Sequence, residues 1–117
     1  MYSPKDTMEK TAQFLKLIAN GNRLHILHLL KQGELNVGEL EQKMGVSQPA
    51  LSQHLARMRQ EGILEAKRAG QQIFYSIKDK RIIEMMALLD DFFYEEAASH
   101  SLHHEAHLSN KHASPYE

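Results

Sequence analysis

The stretch from Ser47 to Leu64, SQPALSQHLARMRQEGIL, constrains the fold more than any other part of the chain. Leu51, Leu55 and Met58 fall at i, i+4 and i+7, one stripe of a helix with 3.6 residues per turn. Gln48, Pro49, Ser52, Gln53 and Arg57 are left on the other faces, and these are residue types that read a DNA groove. Ser47 is favoured at a helix N-cap, and Pro49 suits the first turn, where its missing amide proton has no intrahelical acceptor to lose. Gly62 suits a left-handed position after the helix, from which Ile63 and Leu64 return to a core.

The flanks say what such a helix is for. Glu34 to Gly45, ELNVGELEQKMG, holds a short helix with Val37, Leu40 and Met44 at i, i+3 and i+7, and Gly45 then makes a tight turn. A short helix, a glycine turn and a capped helix form a helix-turn-helix, whose second helix enters the major groove while the first crosses the backbone. After Gly62 the pattern changes to that of strands, Ile63 to Arg68 and Gln72 to Ile77, separated by Ala69, Gly70 and Gln71. Lys67 and Arg68 are expected at the tip of this hairpin with Gln71 and Gln72 opposite. A hairpin after a recognition helix is a wing, whose tip grips phosphates or the minor groove; the plainer reading is a solvated turn.

Composition sets the limits. At 117 residues the chain is expected to form one domain, with 42% hydrophobic and 25% charged residues, no run of about 18 apolar residues and no signal pattern. It reads as soluble and cytoplasmic, with no membrane partner. The absence of cysteine excludes disulfides, thiolate metal sites and thiol redox sensing. The net charge of −1 is unevenly spread: residues 43–81 carry eight Lys and Arg against three Asp and Glu, residues 82–117 one against seven. The basic middle is where a phosphate backbone is engaged, since affinity for DNA comes largely from counterion release.

Two further helices flank this unit. Thr7 to Ala19 places Met8, Ala12, Leu15 and Ala19 on one stripe, widened by Phe14, Leu17 and Ile18, which fits either a dimer contact or a broad core face. Asn22 is expected to cap a second helix running to about Lys31, on which His25 and His28 sit three apart. Such a pair can share a metal, although a His among Leu and Ile more often simply packs. Asp79 is expected to cap a long last helix, where Ile82, Ile83, Met86, Leu89, Phe92 and Phe93 exceed what one small core uses. Phe14, Leu17, Met86, Leu89 and Phe93 are therefore the expected homodimer surface.

Residues 98–117 form a His-rich tail, expected to be flexible, after a DNA-binding and dimerisation domain at 1–97. No cofactor is required. If a metal effector exists, His100, His103, His104 and His107, joined by His28, are the candidate zinc or nickel ligands; the alternative is a solvated tail.

VGELEQKMGVSQPALSQHLARMRQEGIL, followed by a wing ending IFYSI, resembles the ArsR family of bacterial winged-helix repressors, from about Thr7 to Phe93. Within it the resemblance is to the HlyU- and BigR-like branch of haemolysin and sulfur-responsive regulators. It implies homodimers with the order α1-α2-α3-α4-β1-β2-α5, released from a promoter by an inducer. The family's sensing sites do not carry over. Where metal sensors have ELCVCDL, this chain has Glu34-Leu35-Asn36-Val37-Gly38-Glu39-Leu40. Of the last-helix zinc site only Asp79 is kept, with Arg81, Phe92 and Glu95 at the other positions, and the two sulfur-sensing cysteines appear as His28 and Tyr94.

The expected fold is mainly α with a small β-hairpin, a homodimeric winged helix-turn-helix. The expected function is sequence-specific binding of a double-stranded DNA operator, an inverted repeat, by a transcriptional repressor whose inducer the residues do not name. Gln48, Pro49, Ser52 and Gln53 are expected to reach base edges, Arg57, Lys67 and Arg68 to hold phosphates, and Gln71 to join them from the wing. His54 is expected to orient the helix or to bond the DNA backbone. A metal-responsive repressor sensing through the tail, and a winged helix used for protein or RNA contact, are the alternatives. The chain has no phosphate loop and no carboxylate or Ser-His grouping that would suggest an enzyme.

Overall fold

Ser3 and Pro4 start the first helix, earlier than the apolar stripe alone indicates. In α1, Pro4–Ile18, proline stands at the start and the Ser3 hydroxyl accepts from the Asp6 amide at 3.5 Å. The computed structural model describes the backbone of residues 3–105 and the side chains of residues 3–93. Helix α2, Gly21–Leu30, is capped by Asn20 rather than by the expected Asn22. Asn20 has the extended backbone an N-cap needs, and its Oδ1 accepts from the Arg23 amide at 3.1 Å, which places Asn22 inside the first turn.

A two-residue strand, β1 (Leu35–Asn36), precedes α3, Val37–Met44. This strand adds to the expected two-stranded hairpin. It pairs antiparallel with β3, Gln72–Ile77, as Leu35 with Tyr75 and Asn36 with Phe74. On its other side β3 pairs with β2, Leu64–Ala69, giving a three-stranded sheet in the order β1-β3-β2. Asn36 then begins α3 with a reciprocal cap: its Oδ1 accepts from the Glu39 amide at 2.8 Å, and Glu39 Oε1 accepts from the Asn36 amide at 2.9 Å.

Gly45 ends α3 in the left-handed conformation, with φ 68°. A Cβ there would meet nothing within 4 Å, so the demand for glycine is conformational and not steric. Helix α4, Gln48–Gln60, follows across a three-residue turn. It stops in a paired motif: the Gly62 amide donates to Arg59 O at 3.0 Å and the Ile63 amide to Met58 O at 2.9 Å, with Gly62 at φ 81°. That reversal sends Ile63 and Leu64 into the core.

Residues Met1–Lys78 form one compact unit. Ile26 and Leu27 of α2, Leu40 of α3, and Leu51, Leu55 and Met58 of α4 are fully buried there, so α2 and α4 pack with α3 and against the sheet through a continuous apolar centre. Truncating one of these to Ala costs about 2–5 kcal/mol by lost transfer energy and cavity formation. Asp79 begins the second unit, whose described part is α5, Lys80–Glu105. Its carboxylate accepts the Arg81 amide at 3.0 Å and the Arg81 guanidinium at 3.0 and 2.7 Å, which holds its pKa at about 2. The sequence boundary at residue 97 falls inside α5, which continues to Glu105.

The residues expected at a dimer surface differ in their exposure. Leu17 is 9% exposed and Met86 is buried. Phe14 and Leu89 are half-buried, and Phe93 is 44% exposed. The larger exposed apolar side chains are Met8 and Leu15 on α1 and Leu88 and Phe92 on α5.

Candidate nucleic-acid interface

The same 3.6-residue repeat that buries Leu51, Leu55 and Met58 turns the other side of α4 to solvent. Gln48, Pro49, Ser52, Gln53, Ala56, Arg57, Arg59 and Gln60 are all exposed. They form adjacent rows one turn apart, Gln48-Ser52-Ala56 and Pro49-Gln53-Arg57. The small Ala56 between longer polar side chains leaves room for close approach. Ser47 is the N-cap by its backbone, but its hydroxyl makes no capping hydrogen bond.

Arg57 Nε lies 3.8 Å from Glu61 Oε2 one turn on. Both side chains are about half exposed (57% and 49%), so the pair is weak and leaves Arg57 available to a phosphate. Arg59 is a further cation of this face that the apolar periodicity did not single out.

His54 lies between the exposed and buried sides of α4 and is half-buried. Its Nδ1 accepts from Arg23 Nε at 3.2 Å. Burial first, and then the positive charge of Arg23, lower its pKa from 6.5, so the ring is neutral at pH 7. With Nδ1 as acceptor the proton sits on Nε2. Arg23, which the sequence reading did not single out, thus joins the candidate site through His54; its place three residues after the Asn20 cap is a weak local signal of it.

On the wing, Gly70 and Gln71 make the two-residue turn, and Gly70, at φ 66°, supplies the positive φ that such turns require. Lys67 and Arg68 precede the turn on β2 and pair across to Phe74 and Ile73. Consecutive strand residues face opposite sides, so the two cations flank the hairpin instead of sharing one face. Lys67 Nζ lies 3.6 Å from Glu34 Oε1, and Arg68 Nε donates to Gly70 O at 3.2 Å. Gln72 stands opposite Ala69, not Lys67, and its Oε1 accepts from Asn36 Nδ2 at 2.9 Å, which ties the wing to the start of α3. Gln71 is exposed at the turn.

The expected reading residues and wing cations thus belong to two elements of one unit, joined by β2, which packs on α4. Among the described residues no group of three or more His, Asp or Glu side chains is placed to hold a metal. His28 is half-buried on α2. The side chains of His100, His103 and His104, and all of His107, lie outside the described residues.

A family model for bacterial regulatory proteins of the arsR family matches residues 20–66, from the α2 cap into β2. The chain is 41% identical over 80 residues to the transcriptional activator HlyU of Vibrio cholerae, a match covering 68% of this chain and 74% of that protein. It is 38% identical over 93 residues to the biofilm growth-associated repressor of Xylella fastidiosa, covering 76% and 82%. The solved structure of reduced HlyU from Vibrio cholerae superposes with a TM-score of 0.72 at 37% identity, covering 76% of this chain and 94% of that one.

Proposed function

The chain belongs to the ArsR family of bacterial regulatory proteins, and we propose that, as a DNA-binding transcriptional regulator of that family, it acts as a homodimer that represses by occupying an inverted-repeat operator. The observation that carries this reading is the exposed polar row on α4, Gln48, Pro49, Ser52 and Gln53, beside a core-facing row that is fully buried. Gln side chains suit the paired donor and acceptor of adenine, and Pro49 suits the thymine methyl. Arg57, Arg59, Lys67 and Arg68 supply charge for phosphates around that row. Met8, Leu15, Leu88, Phe92 and Phe93 leave apolar area in solvent that a second copy would cover. A two-fold dimer sets its recognition helices one DNA turn, about 34–36 Å, apart.

No helix among the described residues is long and apolar enough to cross a membrane. The protein is proposed to work in the cytoplasm, where its DNA is. The test is a binding series on duplexes selected by the protein itself: the full inverted repeat, one half-site, and the repeat with five base pairs inserted at its centre. The proposal predicts tight binding to the first alone. Equal affinity for all three contradicts a dimer reading two half-sites on one face of the duplex.

A further inference from the structure

Arg23 touches three elements at once without belonging to the DNA-facing row. It stands in the first turn of α2, where its amide donates to the Asn20 cap. Its Nη1 donates to Leu17 O at 2.8 Å. Leu17 is in the last turn of α1, where carbonyls lack amide partners and the helix dipole favours a cation. Its Nε donates to His54 Nδ1 at 3.2 Å, on α4. Arg23 and His54 are both half-buried, so this link is shielded from water more than the surface ion pairs are.

We propose that Arg23 is a positioning residue for base reading, fixing the rotation of α4 by tying His54 to the carboxyl end of α1. The physical ground is the difference between apolar and polar contacts. Leu51, Leu55 and Met58 hold α4 on the core through contacts that have no direction, and these tolerate a small rotation of the helix about its axis. A hydrogen bond from a planar guanidinium has a direction, and its fork relates two acceptors rigidly. His54 follows Gln53 directly, so whatever sets the azimuth of one sets that of the other. With side chains a helix is about 10–12 Å across, so a 10° rotation carries a surface atom roughly 1 Å, enough to break a base-edge hydrogen bond. Contacts to phosphates by long flexible cations absorb such a shift. Loss of the tie therefore lowers discrimination between sequences more than it lowers affinity for DNA in general.

This inference rests on α4 being the base-reading helix, and the test separates the two. Dissociation constants are measured on a selected operator and on a scrambled duplex, over a range of salt, for wild type, Arg23→Lys, His54→Phe, the double variant and Gln53→Ala. Thermal melts establish that each is folded at the assay temperature. Arg23→Lys keeps the charge but loses the fork. It is expected to reduce the ratio of operator to scrambled affinity roughly tenfold, about the worth of one base contact, with the salt slope unchanged. His54→Phe removes the acceptor from the other side and is expected to do the same, and the double variant no worse than either single one. Undiminished discrimination in Arg23→Lys while Gln53→Ala loses it overturns the inference alone. So do equal losses on both duplexes with a shallower salt slope, the mark of a phosphate contact, and strictly additive losses in the double variant. Unchanged discrimination in Gln53→Ala overturns the reading of α4 itself.

Discussion

The Lys67 ammonium on the wing lies 3.6 Å from the Glu34 carboxylate just before β1, so the wing cation meets a counter-charge from outside the hairpin. The side chains are 69% and 46% exposed, which puts the pair in the range of about 0–1 kcal/mol and makes it sensitive to salt. The proposed phosphate contact of Lys67 would replace this carboxylate. Glu34→Gln is therefore expected to tighten binding several-fold on every duplex alike, without changing discrimination. Titrations at low and high salt check this: the gain should be largest at low salt, and a gain confined to the operator would contradict it.

Asn36 carries two tasks, the cap of α3 and the tie to Gln72 on the wing. Asn36→Ala is expected to cost about 1 kcal/mol from the lost cap, within a range of about 0.5–2. Denaturant unfolding measures it. Gln72→Ala breaks only the wing tie, and a stability loss equal to that of Asn36→Ala would mean the cap contributes nothing.

His54 gives the protein a pH dependence with a definite sign. Its folded pKa lies below 6.5, so between the two values the unfolded chain binds more protons than the folded one. The stability it contributes is present above pH 6.5 and is lost as pH falls through the folded value. Melting temperatures of wild type and His54→Phe, compared from pH 7.5 to pH 5, should converge or cross on acidification as the wild type alone pays this cost. A constant difference would show that His54 titrates alike in both states.

The helix-turn-helix and the wing were legible because each rests on a local rule. Leu51, Leu55 and Met58 repeat with the helix, Gly45 and Gly62 sit where positive φ is needed, and the hairpin alternates around Gly70. What was not legible depends on tertiary contact. A two-residue strand has no period to detect, so β1 appears only because β3 pairs with it. Asn20 and Asn22 are equivalent as caps by residue type, and the choice falls to Asn20, whose extended backbone lets its side chain meet the Arg23 amide. Arg23 was not singled out at all, since nothing in the sequence shows that a residue 31 positions further along the chain lies beside it.

The exposed aromatic residues on α5 test the proposed dimer. Phe92, 59% exposed, has little packing to lose within the chain. Phe92→Glu is expected to shift sedimentation from dimer toward a folded monomer and to abolish tight binding to the inverted repeat. An unaltered dimer that still binds would place the interface elsewhere.

Whether the exposed row of α4 reads bases is decided by a base-by-base measurement. Each position of a selected half-site is substituted in turn, and binding is measured for wild type, Ser52→Ala and Gln53→Ala. Each variant is expected to lose about 1–3 kcal/mol on the intact operator and to become indifferent to substitution at one or two adjacent base pairs, while the remaining positions keep their wild-type penalties. A uniform loss at every position, or penalties identical to wild type throughout, would contradict it.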